Sequence, residues 1–573
     1  MIIKLKRFLC ILLFVTLFLS VLPSCSFTTG GNSTGSSETG GSSENSESDT
    51  DSDASSDSGS DTGSDESSGG KNELMIDGMK IPSVAASGNV EKFESEVDLS
   101  SGEHNNAAQT EGIIKSPYYA ITFGEKTIPC YSTRTSLGLH NFAYLDVTQG
   151  ELPCEVTIKT KVQYQTADIL PTYRNSSAEI SGKEVKVTIS EYHDTTIVFD
   201  EKKDYALTLF VRKNAETEIP EGYIVQEIEQ GVHDEELEFK KSRTAMVFKP
   251  GIHFLRHKVE LLDDTMVVIE RGAYIVATMP TPDTETPQAN PDWANKVRYK
   301  ALFTASGKKN VKICGMGVID YSRLDWHARG GIYFDDCDGV NLSGVTLINT
   351  PEWTFTAIRC ENITVDGAIL FAYRQNSDGF AIVDSAHASI KNCFARSGDD
   401  LFEVKSMHSS ASCDINIEDI VFENCSGWPD KARGMGIIYE SVRDMKNITF
   451  RNCSIGFASA TWQDQLGAFV VILAGDANVS DVTFDDVEVY SAKGYPINVT
   501  LYDSSSAVIT GLKFRNVRIR DGQAIRLRND SSDGVINKIT FSEIYREGKK
   551  VSSNAKLNVS YSNVSKTTAV LEK

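Results

Sequence analysis

Basic residues are scarce in this chain of 573 residues, which has 57 Lys and Arg against 79 Asp and Glu and a formal net charge of −22. Residues 26–70 contain ten acidic residues and no basic one, and residues 71–573 have a net charge of −15, from 54 basic and 69 acidic residues. A nucleic-acid-binding protein would need a basic surface. We therefore do not expect nucleic acid as a partner, and we assign much of the acidity to one N-terminal segment.

Two further absences restrict the function. Eleven cysteines are present but none are spaced C-x-x-C, so no zinc site is predicted. We expect no cofactor. Cys130 and Cys154 could form a disulfide, whereas the cysteines that recur within a repeat, such as Cys337 and Cys360, are expected to pack in the core. Apart from the N-terminus, no apolar run is long enough to cross a bilayer.

The N-terminus has the pattern of an export signal. Three basic residues at positions 4, 6 and 7 precede an apolar run, Phe8–Val21. Residues 22–25, Leu-Pro-Ser-Cys, resemble the lipobox of bacterial lipoproteins, which implies that Cys25 carries lipid after cleavage of residues 1–24. An ordinary signal peptide followed by a chance cysteine is the alternative. We predict an extracellular protein that is held at the bacterial cell surface, and touches the membrane, only through this lipid.

A disordered tether is predicted over residues 25–72, which are almost entirely Ser, Gly, Thr, Asp, Glu and Asn. Such a segment cannot bury enough apolar surface to offset the entropy of ordering it. A surface-anchored enzyme would gain reach from it.

A short phrase, in which apolar residues alternate up to a turn residue, recurs from about residue 305. Its alternation has the period of a β-strand, and Gly, Asn or Asp suits the sharp turn. The phrase occurs at Val311–Gly315, Val340–Gly344, Ile363–Gly367, Ala388–Asn392, Ile415–Asp419, Arg443–Asn447, Ala477–Asp481, Ala507–Gly511 and Gly534–Lys538.

Strands repeated every 23 to 34 residues predict an all-β solenoid, a right-handed parallel β-helix. The LxxLxLxxN phrase of a leucine-rich repeat, the competing solenoid, is absent. We place the catalytic β-helix at residues 246–562, followed by a C-terminal tail, 563–573. Residues 73–245 lack the repeat, and their alternating runs predict an antiparallel β-sandwich domain. We expect it to cap the open end of the solenoid rather than to contact carbohydrate.

Three aspartates on successive coils are the candidate catalytic residues. Aligning residues 378–385 with 399–406 places Asp378 beneath Asp399, with Asp400 beside them. Like charges this close raise at least one pKa and so create an acid and a base in one site, as glycoside hydrolysis requires. A solvated turn and a calcium site are the alternatives for clustered carboxylates.

The phrases Asn-Ser-Asp-Gly and, 21 residues later, Gly-Asp-Asp resemble the motifs of the polygalacturonase family, glycoside hydrolase family 28. The dextranase-type family 49 has a similar pattern and also places a β-sandwich before its β-helix. This resemblance implies inverting hydrolysis, with Asp399 as general acid and Asp378 and Asp400 as the bases that hold water. No metal is implied.

Two departures weaken the match to a galacturonate substrate. Met435 stands where the polygalacturonase motif GHG has its histidine, and residues 467–472, Gly-Ala-Phe-Val-Val-Ile, replace an expected Arg-Ile-Lys. An Ile-Arg-Leu-Arg phrase occurs at Ile525–Arg528, two coils too late. We therefore expect polygalacturonase-like or dextranase-like hydrolysis of a polysaccharide by a monomer.

Aromatic and polar residues around the aspartates are typical of a glycan cleft. Trp326, His327, Tyr373 and Trp428 lie on nearby coils. The predicted substrate-binding residues are Trp353, Arg374, Asn376, Glu403, Lys405, Arg433 and Tyr439. Two other functions stay open: a polysaccharide lyase with Arg396 or Lys405 as its base, and a non-catalytic adhesin that binds glycans.

Overall fold

The computed structural model describes residues 112–148, 150–174, 176–213, 217–288, 298–460, 466–503 and 505–572, together with the backbone of 74–76 and 79–81. The predicted signal peptide, Cys25 and the tether lie outside these residues. Within this part of the chain, no helix is long and apolar enough to cross a membrane. The described residues belong to one compact unit.

The first thirteen strands include those of the predicted sandwich. They are β1 (Leu74–Ile76), β2 (Met79–Ile81), β3 (Ile113–Lys115), β4 (Tyr119–Phe123), β5 (Lys126–Ile128), β6 (Tyr131–Thr135), β7 (Gly138–Val147), β8 (Cys154–Thr160), β9 (Ala167–Leu170), β10 (Ser177–Ser181), β11 (Glu184–Ile189), β12 (Asp194–Phe199) and β13 (Leu207–Lys213).

Two sheets face each other in this domain. One has the strand order β10-β11-β8-β4-β5 and the other β3-β6-β7-β13-β12-β9. All pairs are antiparallel except β7 with β13. The alternating apolar residues, such as Val156 and Ile158 of β8, point into the space between the two sheets and form the core of the sandwich.

The remaining strands form the coils. They are β14 (Ile224–Ile228), β15 (Gly231–His233), β16 (Thr244–Phe248), β17 (Gly251–Leu255), β18 (Val259–Glu260), β19 (Met266–Ile269), β20 (Ala273–Ala277), β21 (Phe303–Ser306), β22 (Lys309–Gly315), β23 (Val318–Asp320), β24 (Ile332–Asp335), β25 (Asp338–Ser343), β26 (Thr346–Ile348), β27 (Phe355–Ile358), β28 (Glu361–Asp366), β29 (Ile369–Phe371), β30 (Phe380–Val383), β31 (Ala386–Lys391), β32 (Phe394–Ser397), β33 (Phe402–Ser406), β34 (Ile417–Glu423), β35 (Ser426–Pro429), β36 (Met435–Ser441), β37 (Met445–Arg451), β38 (Ser454–Ala458), β39 (Gly467–Leu473), β40 (Val479–Ala492), β41 (Tyr495–Leu501), β42 (Val508–Thr510), β43 (Leu512–Gly522), β44 (Ile525–Asn529), β45 (Val535–Ile536), β46 (Ile539–Arg546), β47 (Lys549–Lys550), a 3₁₀ turn (Asn554–Leu557), β48 (Val559–Ser562) and β49 (Ala569–Leu571).

These coils stack as the predicted parallel β-helix. One wall is a parallel sheet of eleven strands in the order β18-β21-β24-β27-β30-β33-β36-β39-β41-β44-β48, and the other walls share a sheet of 25 strands. The crossovers between parallel strands are right-handed, as such connections are. One continuous apolar core runs through all coils, because every second residue of each strand points inward.

The coils begin and end beyond the expected limits of 246 and 562. Strands β14 and β15 pair in parallel with β16 and β17, so the coils start at Ile224. At the other end, β49 pairs with β46, so residues 569–571 belong to the coils and not to a tail.

The phase of the repeat also differs from the prediction. Strand β31 pairs Ala388 with Ile420 and not with Ile415, which lies five residues earlier. The later phrases keep the predicted register with one another, since Ile417 pairs with Met445, Met445 with Val479, and Val508 with Val535. The single error in phase therefore lies in the coil after Ala388. All nine predicted turn residues nevertheless have a positive φ, between 51° and 121°. A left-handed turn residue stands both before and after each core stretch, and the two positions use similar residue types. The first four phrases end on the turn residue after the core stretch, such as Asn392. The last five end on the turn residue before it, such as Asp419.

The described cysteines are all free and buried, so the structure has no disulfide between Cys130 and Cys154. Cys337 and Cys360 stack on neighbouring coils as expected, with the Cys337 amide 3.4 Å from the Cys360 sulfur. The column continues to Ser385, whose hydroxyl oxygen accepts a hydrogen bond from the Cys360 amide at 2.9 Å. These residues pack the turns.

The sandwich lies along the flank of the β-helix, so the prediction that it caps an end is wrong. Its six-stranded sheet contributes Phe142 and Phe210 to an aromatic cluster with Phe371 and Phe394 of the coils. Further along, Trp428 joins residues of the sandwich in a second cluster. The apolar outer face of that sheet is covered in this way.

Candidate active site

The eleven-stranded sheet brings the predicted residues into one column. Backbone amides join the coils at this point: Thr354 donates to Asp378 O at 2.8 Å, and Gly379 donates to Asp400 O at 2.7 Å. Trp353, a predicted substrate-binding residue, therefore lies one coil below Asp378. However, Phe380 pairs with Phe402, so Asp378 lies beneath Asp400 and not beneath Asp399. The predicted alignment is out of register by one residue.

Asp399 lies in the turn between β32 and β33, half-buried at the edge of the column. Its carboxylate accepts hydrogen bonds from the backbone amides of Asn376 at 2.8 Å and Asp400 at 3.1 Å. Asn376 has a φ of 59°, and this left-handed turn points its amide at the carboxylate. The predicted Asn376 thus holds Asp399 through its backbone.

Asp378, Asp400 and Glu403 form a buried carboxylate cluster, with oxygens within 4.8 Å of one another. Three acids this close would suit a cation. The ammonium of Lys405 already lies among them, 2.8 Å from Glu403 Oε2, 3.3 Å from Asp378 Oδ2 and 3.9 Å from Asp400 Oδ2. Lys405 therefore supplies the positive charge, and a metal ion in the same place would be repelled by it.

Glu403 and Lys405, two of the predicted substrate-binding residues, alternate outward on β33, but both are buried: Glu403 is 0% and Lys405 4% exposed. Lys405 Nζ also lies 4.8 Å from the ring centroid of Trp353 and 3.7 Å from the exposed Glu440. Burial alone would lower the pKa of Lys405, but the surrounding carboxylates raise it well above its usual value. This lysine stays charged.

Burial raises the pKa of Asp378 well above its usual value, and the carboxylates of Glu403 and Asp400 add to the shift while Lys405 opposes it. The pKa of Asp399 is raised by burial and then by the negative charges of Asp378 and Asp400. Burial also raises the pKa of Glu403 to about 7, against the effect of Lys405. The site therefore holds protons at pH values where an ordinary carboxyl group has lost its own.

Arg433 neutralises Asp400. Its Nη1 lies 2.6 Å from Asp400 Oδ2, and its backbone amide donates to Oδ1 at 3.0 Å. The guanidinium also lies 5.6 Å from the ring centroid of Tyr439. Met435, two residues on, points into the core, so this strand presents no side chain to the acids at the position where a histidine was compared.

Two predicted residues are turned away from the cleft. Arg374 is fully buried, with its Nε 3.1 Å from the Tyr373 hydroxyl, so it does not line the surface. Arg396, the lyase candidate, is buried against the sandwich, where it contacts Asp430 and His140. Since its side chain is committed to that interface, it is not placed to act as a base.

Asn376 also joins the site to a turn two coils below. His327 Nε2 lies 3.1 Å from Asn376 Oδ1, and Trp326 donates from Nε1 to Gln375 O at 2.9 Å. Burial lowers the pKa of His327 to about 4, so its ring is neutral near pH 7. Tyr373 and Trp428, by contrast, are buried with Arg374 and Arg396.

Glu440 and Tyr502 belong to the cleft and were not predicted. Glu440 lies within an irregularity in the pairing of β33 with β36, between Ile437 and Ser441, so simple strand alternation does not give the direction of its side chain. Tyr502 lies just beyond β41 and packs edge-on against Tyr439, with ring centroids 5.4 Å apart. No sequence signal marks Tyr502, because its position depends on where the strand ends.

Strand β39, which pairs with β36 on the next coil of this wall, has no basic residue. Val470 and Ile472 of β39 point outward and pack with Ile438 under the rings of Tyr439 and Tyr502. The expected Arg-Ile-Lys contact is therefore replaced by an apolar floor.

The region that contains the three aspartates is similar to known glycoside hydrolases. Residues 291–521 match the family model described as glycosyl hydrolases family 28. The chain is similar to a polygalacturonase of Chamaecyparis obtusa, with 23% identity over 43% of this chain and 51% of that protein. It is also similar to a probable exopolygalacturonase B of Aspergillus niger, with 23% identity over 42% of this chain and 62% of that protein. The match thus spans little more than half of these relatives.

A solved structure shares the fold over most of the chain. Dex49A from Penicillium minioluteum superposes with a TM-score of 0.53 at 10% identity, covering 84% of this chain and 96% of the other. The matched family region contains Asp378, Asp399 and Asp400.

Proposed function

Because residues 291–521 resemble family 28 glycosyl hydrolases, the chain is polygalacturonase-like, and we propose that it hydrolyses a polysaccharide with inversion at the anomeric carbon. The observation that carries this proposal is the buried cluster of acids beside Asp399, in which burial raises the pKa of Asp399 while Arg433 and Lys405 place positive charge beside Asp400. One site thus contains both an acid and a base.

Asp399 is the proposed general acid. It lies at the edge of the cluster, half-buried, and its raised pKa keeps a proton available for the leaving oxygen of the glycosidic bond. The amides of Asn376 and Asp400 hold the carboxyl group in one orientation. They also stabilise the carboxylate that remains after the proton is transferred.

Asp378 and Asp400 are the proposed bases that hold the attacking water. Arg433 binds Asp400 and keeps it available as an acceptor. Asp378 Oδ1 is buried and has no hydrogen-bond partner within the described residues, so it can accept from a water that attacks the sugar. The proton released on attack is taken up by this pair.

We also propose that the protein is exported, acylated at Cys25 and held at the bacterial surface. The supporting observation is the order of basic residues, apolar run, lipobox-like Leu-Pro-Ser-Cys and polar tether. Metabolic labelling of the expressing bacterium with a fatty acid, with Cys25→Ser as the control, tests the proposal. Label that persists in the variant would contradict it.

The test of hydrolysis uses purified protein with pectic, α-glucan and galactan substrates, with and without chelator. We expect new reducing ends, no ultraviolet-absorbing unsaturated product, and inverted product configuration by NMR. Asp399→Asn should lower kcat by about 10²- to 10⁴-fold with little change in KM.

The matched control is Asp338→Asn, an aspartate that is half exposed on another wall of the β-helix. It should behave as the wild type. Undiminished activity of Asp399→Asn would rule out the assigned acid. Unsaturated products would indicate a lyase, and binding of a glycan without turnover would indicate an adhesin.

A further inference from the structure

A turn two coils below the acids reaches the residues that hold Asp399. It connects β23 with β24, and β24 lies two strands before β30 in the eleven-stranded sheet. Two neighbouring side chains of this turn, Trp326 and His327, contact Gln375 and Asn376, which precede β30. These contacts skip the intervening coil and join residues that are 49 positions apart in the sequence.

Trp326 acts on the peptide group that binds the proposed acid. The peptide between Gln375 and Asn376 carries the Gln375 oxygen on one side and the Asn376 N–H on the other. Trp326 Nε1–H donates to this oxygen at 2.9 Å, and the N–H donates to Asp399 Oδ2 at 2.8 Å. A donor on the carbonyl oxygen polarises the N–H of the same peptide and strengthens its bond. The indole therefore fixes the plane of this peptide and increases its attraction for a carboxylate.

His327 holds the same peptide through the side chain of Asn376. Its Nε2 lies 3.1 Å from Asn376 Oδ1, and because an amide oxygen only accepts, Nε2 is the donor. Asn376 has a φ of 59°, a left-handed conformation that needs support from its surroundings. His327 is 7% exposed, and its own amide donates to Pro351 O at 3.0 Å. The imidazole is thus a fixed point that stabilises this turn.

The backbone of Asp399 is held separately from its carboxylate. Its amide donates to Ser397 Oγ at 3.1 Å. The carboxylate itself accepts from two amides, those of Asn376 and Asp400. Displacing the Asn376 amide would therefore leave the backbone of Asp399 in place, remove one of the two donors and free the rotation of the side chain.

We infer that Trp326 and His327 are positioning residues for Asp399, which aim the peptide between Gln375 and Asn376 at its carboxylate. The inference rests on the proposed function in taking Asp399 as the general acid. Two residues outside the aspartate motifs then take part in the reaction, and they belong to a coil that carries none of the three aspartates. Asn376, which was predicted to bind substrate, acts on the acid instead.

The expected signature is a shift in pH dependence together with a loss of rate. Burial, Asp378 and Asp400 raise the pKa of Asp399. The Asn376 amide and the charge of Arg433 lower it, since both stabilise the carboxylate. A weaker amide bond therefore raises the pKa, and the acid keeps its proton to higher pH. The rate falls nevertheless, because the acid is misoriented and its carboxylate is less well stabilised after proton transfer.

Two substitutions remove the donors one at a time. Trp326→Phe removes the indole N–H and keeps an aromatic ring, and His327→Leu removes the imidazole. On the substrate found in the panel, each should lower kcat by about 10- to 100-fold with little change in KM. The alkaline limb of the kcat profile should move upward by roughly 0.5–1 pH unit. His327 itself does not titrate in this range, because burial, aided by the charge of Arg298, lowers its pKa to about 4.

The controls separate positioning from general damage to the fold. His327→Gln keeps an N–H donor near the place of Nε2 and should recover much of the lost kcat. His387→Leu is the matched control and should behave as the wild type, since His387 is 45% exposed on another wall and pairs with Asp419. Thermal unfolding shows whether each variant is folded.

A second measurement does not depend on turnover. Protein labelled with 15N-asparagine is titrated with acid and base, and the Asn376 amide signal is assigned from its absence in Asn376→Asp. This signal should move as Asp399 ionises in the wild type and should not move in Asp399→Asn. In Trp326→Phe and His327→Leu the movement should be centred at higher pH.

An unchanged amide titration and an unchanged pH profile in Trp326→Phe and His327→Leu would overturn the inference. A lower kcat with the alkaline limb in its wild-type place would also overturn it, because that result indicates a purely structural role. A shifted amide titration in a protein that hydrolyses no glycan would refute the proposed function and still support the hold of this turn on Asp399.

Discussion

Lys405 is the residue whose charge holds the acid cluster together. It is buried among Glu403, Asp378 and Asp400, and Glu440 lies nearby. Replacing it by an apolar residue leaves Glu403 and Asp378 without a counter-charge, whereas Asp400 keeps Arg433. Lys405→Met should therefore lower the free energy of unfolding at pH 7 by about 3–5 kcal/mol. The loss should be smaller at pH 5, because Glu403, whose pKa is raised to about 7, is protonated there.

Urea unfolding at the two pH values measures this effect. The matched control is Lys446→Met, whose ammonium is 60% exposed and pairs with Glu418 at 2.7 Å. An exposed pair of this kind contributes about 0–1 kcal/mol, so this variant should remain near the wild type. A similar, small loss in both variants would show that the ammonium of Lys405 is not needed.

Glu403 should make stability fall as pH rises towards neutrality. The fold raises its pKa to about 7, so the native protein keeps a proton that the unfolded chain has lost above about pH 4.5. Its contribution is complete below that pH and is lost as pH rises through 7. Glu403→Gln keeps the shape without the titration and should remove roughly 1–3 kcal/mol of this decline.

Unfolding measured from pH 4.5 to 8 in both proteins checks the expected difference in slope. Glu440→Gln serves as the control, because Glu440 is exposed and touches the same lysine. If the pH dependence of Glu403→Gln matched that of the wild type, the carboxyl group would not titrate in this range.

The acids themselves were predictable from the sequence, but their exact arrangement was not. The motifs around Asp378, Asp399 and Asp400 indicated two adjacent coils, and alternation indicated the outward face. Alternation cannot decide which of two neighbouring aspartates continues the column, and the structure places Asp400 there. Burial of Arg374 was also beyond the sequence, since it depends on the sandwich packed against the coils.

At the scale of single elements, an aromatic column runs through the later coils. Phe450, Phe484, Phe514 and Phe541 stack with ring centroids 4.9–5.0 Å apart and nearly parallel planes. Each ring covers the next, so a gap exposes two neighbours. Phe484→Ala should cost about 3–5 kcal/mol.

Phe484→Leu is the control and should cost at most about 2 kcal/mol, because most of the apolar volume remains. Hydrogen exchange should show faster opening of β40 and β43 in the Ala variant than of the early strands, since each coil contacts mainly its neighbours. Equally faster exchange in all coils would contradict this local effect.

The repeat predicted the strands and their parallel stacking. It did not predict which residues pair across the coil after Ala388. Positive φ at Asn392 and at Asp419 shows why: the two turns that flank a core strand use the same small polar residues. The long coil between Ala388 and Ile420 shifts the phrase from one turn to the other. Residue type marks a left-handed turn without marking which corner it occupies.

At the scale of the whole molecule, the contact between the sandwich and the coils reaches the turn that carries Asp399. Ser136 of the sandwich donates from its hydroxyl to Tyr373 O at 2.8 Å. Gly398, next to Asp399, packs so closely here that an added Cβ would lie 2.5 Å from Tyr373 O and 2.7 Å from Ser136 Oγ. The sandwich therefore supports the turn that positions the proposed acid.

Gly398→Ala should displace this turn and lower kcat by about 10- to 100-fold, with a smaller effect on KM, because the acid would be misplaced relative to the substrate. Steady-state kinetics on the substrate found in the panel checks this. Gly494→Ala is the control, since its Cβ would meet only Ala460 O at 3.3 Å. Equal kcat in both variants would show that the contact does not position the acid.

The sandwich was predictable as a domain, but its place was not. Alternation of apolar residues predicts its strands. The sequence does not show that the outer face with Phe142 and Phe210 packs on the coils, because these residues have the pattern of any buried strand. Only packing decides between an end and a flank.

The stacking of the coils also has a consequence for how new specificities can arise. Coils differ in length, with 23 residues from Val340 to Ile363 and 32 from Ala388 to Ile420, yet the strand ladder keeps one spacing throughout. The extra residues leave the wall at its corners and do not shift the acids. Loops grafted at those corners should therefore reshape the cleft while the chemistry stays in place, which makes this solenoid a scaffold for engineering glycan selectivity.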